Sequence, residues 1–487
     1  MDHGAVAELV EDLRRATAPD RVRTEPIEVG LYARDASNLE GEPGVVCFPI
    51  TAAEVQACVL VCRKHNRSFV PRGSGTGLAG GATPLDGSVV IVTTKMNRVL
   101  SVDVDERFAW VEPGVINLDL SKQTAPHGLH FAPDPSSQQS CSIGGNVANN
   151  SGGPHCLADG VTSAHILAVE VVLPDGELVM LGGLAATAGY DLRGAFVGSE
   201  GMFGIATRVA VRLTPNPPDV RTLLLAFDDT GAGAKTVSDI IASGLLPAAL
   251  EMMDNNCIRA VEAFVHAGFP VDAAAVLIVE VNGLPALVDE AAERAAAIGL
   301  ANGATSVRVA ADTDERALIW KGRKSAFGAV ARIKPNYYLH DTVVPRAKLV
   351  EVLDRVYAIA KEFDLIVLNV FHAGDGNLHP LLVYDKREPG VVERVHAAGD
   401  AIVRASIEAG GVLSGEHGIG LEKRDYMGLL FAPADLDLQA RMREAFDPDG
   451  LANPHKVLPL GSRCGETVLD PAAGLADASS HPEGAWI

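Results

Sequence analysis

The chain has 487 residues, of which 47% are hydrophobic and 21% charged, and its formal net charge is −21. This composition is typical of a soluble globular protein with two or more domains. The acidic charge argues against nucleic acid or an anionic membrane surface as a partner, because both require clustered Lys and Arg. No apolar run reaches the ~18–20 residues of a transmembrane helix, and the N-terminus does not resemble a signal peptide, so we expect a cytoplasmic protein.

The cysteines form no Cys-x-x-Cys pair; they lie at positions 47, 58, 62, 141, 156, 257 and 464. This spacing is typical neither of a disulfide framework nor of iron–sulfur ligation. We therefore expect neither in this chain.

The predicted elements begin with an amphipathic helix and lead-in over residues 1–37. Thr51-Ala52-Ala53-Glu54 is a capping box, which predicts a helix running towards His65. Residues 165–173 and 177–181 flank a Pro-Asp-Gly turn and predict a β-hairpin. The remaining strands of this region are predicted at 68–70, 88–92, 99–102, 109–111 and 209–213.

Residues 214–218, Thr-Pro-Asn-Pro-Pro, form the best linker candidate in the chain. Beyond them, strands alternate with longer helices, which predicts an α+β layer. Helices are predicted at 233–243, 255–265, 285–298, 313–331, 346–363, 389–409 and 433–446. Strands are predicted at 221–227, 248–252, 275–281, 306–310, 338–344, 365–370, 378–383 and 411–414. The predicted division is a first domain at 38–218, a second at 219–410, a C-terminal segment at 411–460 and a flexible tail at 461–487.

A glycine-rich loop follows the strand at 68–70 and contains Gly-x-Gly-x-x-Gly at positions 75, 77 and 80. In a dinucleotide-binding fingerprint, the third glycine opens a helix that faces the pyrophosphate. Here Gly81 and Pro84 prevent such a helix, and no crossover helix leads to the next strand. We therefore interpret the loop as a pyrophosphate-binding loop of non-Rossmann type, whose backbone N–H groups converge on an anion.

Two further Gly/Ser-rich segments lie in the same domain, at 133–153 and 198–204. The first combines glycine pairs, which permit close backbone approach, with Asn and Ser side chains that can form hydrogen bonds. Three such turns in one domain indicate a large cofactor lying across it.

A histidine-rich motif stands in the second half of the chain. His372 and His379 flank a Gly-Asp-Gly turn, and Glu416 and His417 follow between glycines. Two imidazoles and a carboxylate are typical ligands of a divalent transition metal that keeps positions open for a substrate. His417 is not needed as a ligand and is a candidate base. The set indicates chemistry on an oxygen-bearing small molecule.

Together these segments resemble the FAD-binding domain of vanillyl-alcohol-oxidase-type flavoproteins. A narrower resemblance, to the family of FAD-linked glycolate oxidase subunits, rests on motifs that begin at Arg72, Ala132, Cys141, Leu250, Gly322, Asn336, Phe371 and Ser414. The resemblance implies an α+β fold with a two-part FAD-binding domain of the PCMH type. It also implies a ferredoxin-like cap domain for the substrate and a C-terminal helical segment that returns to the FAD domain.

The resemblance further implies site residues. FAD would be bound noncovalently, because the glycine loop has no histidine to form a flavin bond. The implied FAD-binding residues are Arg72, Gly73, Ser74, Gly75, Thr76, Gly77, Pro135, Ser136, Ser142, Gly144, Gly145, Asn146, Asn149, Gly204, Ile205 and Asn453. His372, His379 and Glu416 would hold Zn, Mn or Fe, His417 would be the base, and Arg323 would grip the substrate carboxylate. Asn377 and Tyr338 are further implied substrate contacts.

The implied activity is the oxidation of glycolate to glyoxylate, and of D-lactate, by hydride transfer to flavin N5. A metal chelated by the substrate hydroxyl and carboxylate lowers the hydroxyl pKa, and His417 removes the proton. Leu381 stands where D-2-hydroxyglutarate dehydrogenases have an asparagine, which disfavours a dicarboxylic substrate. The implied partners are companion glycolate oxidase subunits, one of them an iron–sulfur subunit, which would hold the chain peripherally at the inner face of the membrane.

Three alternatives stay open. In the first, the enzyme has D-lactate as its main substrate. In the second, the chain is a noncatalytic flavin-binding electron-transfer subunit. In the third, it is a non-redox flavoenzyme such as an ether-lipid synthase. The His/Glu set argues against the last two. The metal, the oligomeric state and the electron acceptor are not determined by the sequence.

Overall fold

A computed structural model describes residues 3–185 and 188–460 of the chain, so the predicted tail at 461–487 lies outside the described residues. The helices are α1 His3–Ala16, α2 Pro26–Gly30, α3 Ala52–Lys64, α4 Asn117–Thr124, α5 Ile143–Asn149, α6 Cys156–Asp159, α7 Leu192–Phe196, α8 Thr230–Ala242, α9 Asn255–Val265, α10 Pro285–Ala301, α11 Thr313–Lys324, α12 Ala326–Val330, α13 Leu349–Glu362, α14 Val391–Glu408, α15 Met427–Leu430 and α16 Pro433–Phe446. None of the helices in the described ranges is both long and apolar enough to span a membrane.

The strands are β1 Val22–Arg23, β2 Pro43–Cys47, β3 Phe69–Arg72, β4 Ser88–Val92, β5 Val99–Asp103, β6 Phe108–Val111, β7 Leu129–His130, β8 Ile166–Val172, β9 Leu178–Gly182, β10 Ile205–Arg212, β11 Thr214–Pro215, β12 Asp219–Phe227, β13 Ala249–Asp254, β14 Ala275–Gly283, β15 Ala304–Val309, β16 Asn336–Leu339, β17 Thr342–Val343, β18 Ile366–His372, β19 Asn377–Leu378 and β20 Pro380–Tyr384. The chain divides into two compact units. Within the described residues, the first unit contains 3–151, 161–216 and the returning segment 416–460, and the second contains 152–160 and 217–415.

The first unit is built on two larger sheets. One has four strands in the order β1-β2-β4-β3, with β4 parallel to both of its neighbours. The other is antiparallel, with five strands in the order β5-β6-β10-β8-β9. Helix α3 packs on both sheets through apolar side chains that share one core: Val55, Cys58, Val59, Cys62, Val89, Ile91, Val172 and Ile205.

Local sequence features explain the elements of this unit that were predicted. The Thr51 hydroxyl accepts a hydrogen bond from the Glu54 amide and begins α3 as expected of a capping box. The hairpin β8–β9 turns at Gly176, which adopts a positive φ of 90° that glycine tolerates without strain. Both predictions are therefore confirmed.

The second unit contains one large sheet. Its strands follow the order β15-β12-β14-β13-β18-β19-β17, and β20 joins β16 to β18. Helices α8, α9 and α10 each follow a strand, and the aspartates Asp229 and Asp254 cap the first two through their side chains. The apolar faces of helices and sheet share a core that includes Leu225, Phe227, Val237, Ile240, Met252, Leu277, Val288 and Phe371.

A buried carboxylate attaches residues 152–160 to the second unit, although these residues lie within the range predicted for the first domain. Glu280 accepts hydrogen bonds from Trp320 Nε1 at 2.6 Å and Arg316 Nη2 at 2.7 Å, and it lies 3.2 Å from His155 Nε2. Burial alone would raise the pKa of Glu280, but hydrogen bonds from His155 and Arg316 hold it below its usual range. The ring of His155 also packs against Trp320, with centroids 5.5 Å apart.

Several predicted elements differ from the structure. The helix predicted at 313–331 is two helices that meet at Ser325. The strand predicted at 338–344 is interrupted at His340-Asp341, because Asp341 turns to accept hydrogen bonds from the Ser414 hydroxyl and the Gly415 amide. These same bonds leave the strand predicted at 411–414 with a single bridge, between Val343 and Val412.

Candidate active site

The glycine-rich loop connects two parallel, adjacent strands of the first unit. Residues 73–87 contain no helix between β3 and β4, and the two strands pair from Phe69 to Arg72. The Rossmann arrangement, in which a helix opens at the third glycine, is therefore absent from this loop. The sequence prediction of a non-Rossmann loop is confirmed.

Arg72 braces this loop from inside the protein. Its side chain is buried, and Nη2 donates a 2.7 Å hydrogen bond to the main-chain carbonyl of Arg34. Gly75 has a φ of 71°, and a Cβ there would lie 2.2 Å from the Arg72 guanidinium. Burial lowers the pKa of Arg72, and the charge of Asp35 partly offsets this effect. The guanidinium therefore shapes the loop, and its contact with a cofactor remains a prediction.

The glycine loop meets the second predicted cofactor segment at the start of α5. A Cβ on Gly73 would lie 2.3 Å from Ser142 Oγ and 3.6 Å from the Gly145 amide nitrogen. Ser142 is the N-cap of α5 and accepts a hydrogen bond from that amide. Gly144 in turn packs against Pro113, with no room for a side chain. Two loops that are far apart in sequence thus bring backbone N–H groups together, which fits the binding of a phosphate-containing cofactor.

Two asparagines of this segment bind protein groups. Asn146 is buried, donates to Ser151 Oγ at 2.7 Å and accepts from Asn117 Nδ2 at 2.9 Å. Asn149 Nδ2 donates to the main-chain carbonyl of Glu416 at 2.6 Å. Both residues therefore hold the segment in place, and their predicted contacts with FAD remain predictions.

Asn453 ties the returning segment to the glycine loop. Its Nδ2 donates to the carbonyls of Gly81 at 2.8 Å and Glu200 at 2.6 Å, and its amide donates to the Phe69 carbonyl at 2.7 Å. Asn453 Oδ1 is buried without a hydrogen-bond partner in the described part of the chain. An acceptor left open beside the glycine loop fits a residue that binds a cofactor.

The other predicted cofactor residues lie along the same unit. Ser74, Thr76 and Gly77 are in loop 73–87, and Pro135 and Ser136 precede α5. Gly204 immediately precedes β10, which begins at Ile205. Glu200, which sequence analysis did not single out, accepts a 2.7 Å hydrogen bond from the Ile419 amide. Burial raises the pKa of Glu200. The sequence feature that could have identified Glu200 is its position inside the Gly-Ser-Glu-Gly turn.

His372 and His379 lie together in the second unit. His372 ends β18, His379 follows β19, and the Gly374–Gly376 turn reverses the chain between them. Their ring planes are nearly perpendicular at 88°, with centroids 5.1 Å apart. Both side chains are buried, and a ring nitrogen of each lies within 4.8 Å of the other. This proximity fits the predicted metal site, which stays a prediction.

One carboxylate connects His372 to Arg323. Glu251 on β13 is opposite His372 on β18, and its Oε1 lies 2.7 Å from His372 Nδ1. Its Oε2 forms an ion pair of 2.6 Å with Arg323 Nη2, and both side chains are fully buried. In the described ranges, neither Nε nor Nη2 of Arg323 has a hydrogen-bond partner, so the contact at Nη2 is an ion pair without hydrogen-bond geometry. Sequence analysis missed Glu251, although it is the one charged residue in the run Ala249–Met253.

His379 contacts main-chain and side-chain oxygens of His340 and Asp341. Its Nδ1 lies 3.4 Å from the His340 carbonyl and 3.8 Å from the Asp341 carboxylate. Asp341 also accepts from the Ser414 hydroxyl at 2.6 Å and from the Gly415 amide at 3.1 Å. Gly415 ends the second unit, so Asp341 fixes the point at which the chain leaves for Glu416. Asp341 was also missed.

The remaining predicted site residues lie in both units. Glu416 and His417 begin the returning segment of the first unit, with 4.0 Å between His417 Nε2 and Glu416 Oε1. Asn377 is buried opposite His372 in the second unit, and its Oδ1 has no hydrogen-bond partner among the described residues. The Tyr338 ring contacts the rings of His340 and His396, at centroid distances of 4.5 and 5.4 Å.

Comparison with known proteins identifies the class. Residues 43–182 match the FAD binding domain family, and residues 216–457 match the C-terminal domain of FAD linked oxidases. The fold is similar to 4-ethylphenol oxidase from Gulosibacter chungangensis (TM-score 0.78, 19% identity, 95% of this chain and 99% of the other) and to p-cresol methylhydroxylase (TM-score 0.76, 17% identity, 94% and 98%). The predicted class, α+β with a two-part FAD-binding domain and a ferredoxin-like cap, is confirmed.

Sequence comparison with curated relatives identifies the family within this class. Glycolate oxidase subunit GlcD of Escherichia coli (strain K12) is 48% identical over 87% of this chain and 85% of its own. GlcD of Bacillus subtilis (strain 168) is 38% identical over 89% and 93%, and D-lactate dehydrogenase of Anaerostipes hadrus is 31% identical over 88% and 91%. The chain belongs to the family of FAD-linked oxidases and is an FAD-linked oxidoreductase. The resemblance to the FAD-linked subunits of glycolate oxidase is confirmed.

Proposed function

We propose that this chain oxidises small 2-hydroxy acids, with glycolate as main substrate and D-lactate as a second one, using noncovalent FAD and a divalent metal. The observation that carries the proposal is the buried cluster of His372, Glu251 and Arg323 beside His379. It combines metal-binding imidazoles with a guanidinium, as chelation and anchoring of a hydroxy-carboxylate require. The relatives named as glycolate oxidase subunits and D-lactate dehydrogenases support the same substrate class.

His372 and His379 with Glu416 are the proposed ligands of Zn, Mn or Fe. Support comes from the donor set and from the partners of the two rings: Nδ1 of each faces an oxygen, so a neutral ring keeps its lone pair on Nε2. A bound metal would supply Lewis acidity, which lowers the pKa of the substrate hydroxyl.

The protein's own groups then have separate tasks. His417 accepts the hydroxyl proton as general base. Arg323 binds the substrate carboxylate through its open Nε donor and fixes the orientation of C2. Asn377 offers a buried side-chain oxygen to the substrate, and Tyr338 is a further proposed contact.

FAD binding is assigned to the first unit. Bound FAD would supply the hydride acceptor, flavin N5. The two converging glycine loops provide backbone N–H groups, and Asn453 provides a buried acceptor. The glycine loop, residues 73–87, contains no histidine, which supports noncovalent binding.

Companion subunits are proposed as the route by which electrons leave the flavin. The cysteine positions of this chain show no iron–sulfur spacing, and the GlcD relatives are named as subunits. An iron–sulfur subunit would accept the electrons, and it would place a cytoplasmic chain peripherally at the inner face of the membrane.

The test is anaerobic bleaching of the flavin of the purified protein. Glycolate and D-lactate should bleach it, with glycolate faster, whereas L-lactate and D-2-hydroxyglutarate should be slow. A faster reaction with D-lactate would favour the alternative that D-lactate is the main substrate. Absence of bleaching by every 2-hydroxy acid would refute the proposal and favour an electron-transfer subunit.

The metal is tested by analysis of the same protein and by substitution. His372→Ala, His379→Ala and Glu416→Gln should each abolish bleaching with flavin still bound, because none of these residues lies in the cofactor loops. His127→Ala, at an exposed histidine, is the matched control. Normal bleaching by glycolate after treatment with a chelator would show that the metal has no part in the reaction.

A further inference from the structure

Glu251 is a fully buried carboxylate that contacts two proposed functional residues of different kinds. One oxygen lies 2.7 Å from Nδ1 of His372, and the other lies 2.6 Å from Nη2 of Arg323. Strand pairing places Glu251 directly opposite His372 on the neighbouring strand β18. The backbone, and not only the side chain, therefore holds this carboxylate in position.

We propose that Glu251 is a positioning residue that sets the ring of His372 for metal binding and holds Arg323 ready for the substrate carboxylate. This inference rests on the proposed function and adds to it a residue that touches neither metal nor substrate. It makes one buried charge responsible for the arrangement of both halves of the substrate-chelating site.

The first half of the argument concerns the histidine tautomer. A carboxylate beside a guanidinium is an acceptor, so Nδ1 of His372 carries the proton that it donates to Glu251. The neutral ring then has its lone pair on Nε2, which is the atom that can coordinate a cation. Partners of this kind fix the ring orientation and raise the basicity of a metal-binding histidine.

The second half concerns the guanidinium. Arg323 is 1% exposed, and a buried cation without a counter-charge would be strongly destabilising. Glu251 supplies that charge 2.6 Å from Nη2, while Nε and Nη2 both stay without a hydrogen-bond partner in the part of the chain that is described. Because the buried ion pair fixes the side chain of Arg323, an incoming substrate carboxylate meets a directed donor that is already in place rather than a mobile side chain.

The test is the affinity of the metal-stripped flavoprotein for Zn²⁺, measured by competition with a chromophoric chelator. Glu251→Gln retains the shape of the side chain but loses its charge, and we expect Zn²⁺ to bind about 10–100-fold more weakly, the effect typical of losing such a partner. The KM for glycolate should change as well, since the amide no longer compensates Arg323. Glu251→Asp retains the charge but is too short to reach both partners, and it should also weaken Zn²⁺ binding.

Asp254→Asn is the matched control. Asp254 is a buried carboxylate on the same strand, but it accepts hydrogen bonds from the Cys257 amide, from Asn369 and from the Tyr357 hydroxyl, not from a histidine or an arginine. Zn²⁺ affinity should be unchanged in this variant, whatever its stability. If the wild type binds Zn²⁺ and Glu251→Gln binds it equally tightly, the role of Glu251 is refuted. If the metal-stripped wild type binds none of Zn²⁺, Mn²⁺ and Fe²⁺, the proposed metal site is refuted instead.

A measurement on the wild type removes any dependence on the folding of variants. The ¹⁵N resonances of His372 in the metal-free protein, assigned by their loss in His372→Asn, report which ring nitrogen carries the proton. Protonation at Nδ1 supports the positioning role. Protonation at Nε2 overturns it.

Discussion

The side-chain amide of Asn149, at the end of α5, donates a 2.6 Å hydrogen bond to the main-chain carbonyl of Glu416. Three residues further on, the Ile419 amide donates to Glu200. The segment that carries the proposed metal ligand and the proposed base is therefore held by two predicted cofactor turns of the first unit. We therefore predict a link between these contacts and metal binding at Glu416.

Substitution of Asn149 tests this link. Asn149→Ala removes the side-chain hydrogen bond to the half-buried Glu416 carbonyl, which should cost about 0.5–1.5 kcal/mol of stability. Zn²⁺ affinity should fall, because the backbone at Glu416 is no longer held. Asn256→Ala, which removes a similar bond to the Val367 carbonyl in the second unit, should lower stability without a change in Zn²⁺ affinity. Equal Zn²⁺ affinities in the two variants would contradict the link.

Removal of the proposed base should slow the chemical step alone. His417→Ala is expected to reduce the rate of anaerobic flavin reduction by about 10²–10⁴-fold. Metal and flavin contents should remain those of the wild type, since neither depends on His417. Stopped-flow measurement of flavin absorbance with glycolate gives the rate, and a rate near that of the wild type would remove His417 from the mechanism.

Arg323→Lys separates charge from geometry. Lysine retains the positive charge opposite Glu251 but lacks the planar fork that binds a carboxylate through two donors. We expect a higher KM for glycolate together with slower flavin reduction, because C2 is no longer held in line with its acceptor. Lys324→Arg, the opposite exchange at the next residue, is the control. Unchanged kinetics in Arg323→Lys would place the substrate carboxylate elsewhere.

The contact between the two cofactor loops is tested at Gly73. In Gly73→Ala, the new methyl group would lie 2.3 Å from Ser142 Oγ, so the glycine loop must move away from the start of α5. FAD affinity should fall, and flavin fluorescence of the released cofactor measures it. Gly30→Ala, where no atom lies within 4 Å of the new methyl group, should retain the flavin. Full retention by Gly73→Ala would show that this contact does not shape the site.

Lys456 predicts a specific dependence of stability on pH. Its Nζ donates to the Thr83 carbonyl, and burial, together with the charge of Arg424, lowers the pKa of Lys456 to about 7. An unfolded lysine has a pKa of about 10.4, so between about pH 7 and pH 10 the unfolded chain binds more protons. The contribution of Lys456 to stability is therefore smallest below pH 7 and increases as the pH rises.

Denaturation midpoints at pH 6 to 9 check this sign. The free energy of unfolding of the wild type, relative to Lys456→Met, should rise between pH 7 and pH 9 and be flat below pH 6. Lys122→Met, at an exposed lysine, should show no such trend. A difference that is constant over the whole range would mean that Lys456 titrates normally.

Two helices with local signals at their starts were predicted from sequence to the residue, whereas α8, which Asp229 caps, begins three residues before its predicted start. Helix α9 begins after its Asp254 cap, and α16 begins at Pro433, as expected. Helix α5 was missed because Gly144, Gly145 and Asn149 favour a loop. Its stability comes from tertiary contacts, such as Gly144 against Pro113 and Asn146 with Asn117, that no local pattern contains.

In the candidate site, too, residues in local motifs could be predicted, whereas residues that act through tertiary contacts could not. His372 and His379 could be found because metal-binding side chains occur in a short motif with characteristic spacing. Glu251 and Asp341 act through strand pairing and a turn, and each lies at least thirty residues from the histidine it contacts. A single sequence does not show which strands pair. The one signal for Glu251 was therefore a single charged residue in an otherwise apolar strand.

The attachment of residues 152–160 through Glu280 has a consequence for the order of assembly during translation. This segment emerges from the ribosome before the rest of the second unit has been synthesised. His155 therefore cannot contact Glu280 and Trp320 until those residues have been made. The first unit must likewise wait for the returning segment, whose Ala452 pairs with Phe69. Neither unit can be completed as a nascent N-terminal domain, and both acquire their native contacts only when most of the chain has been synthesised.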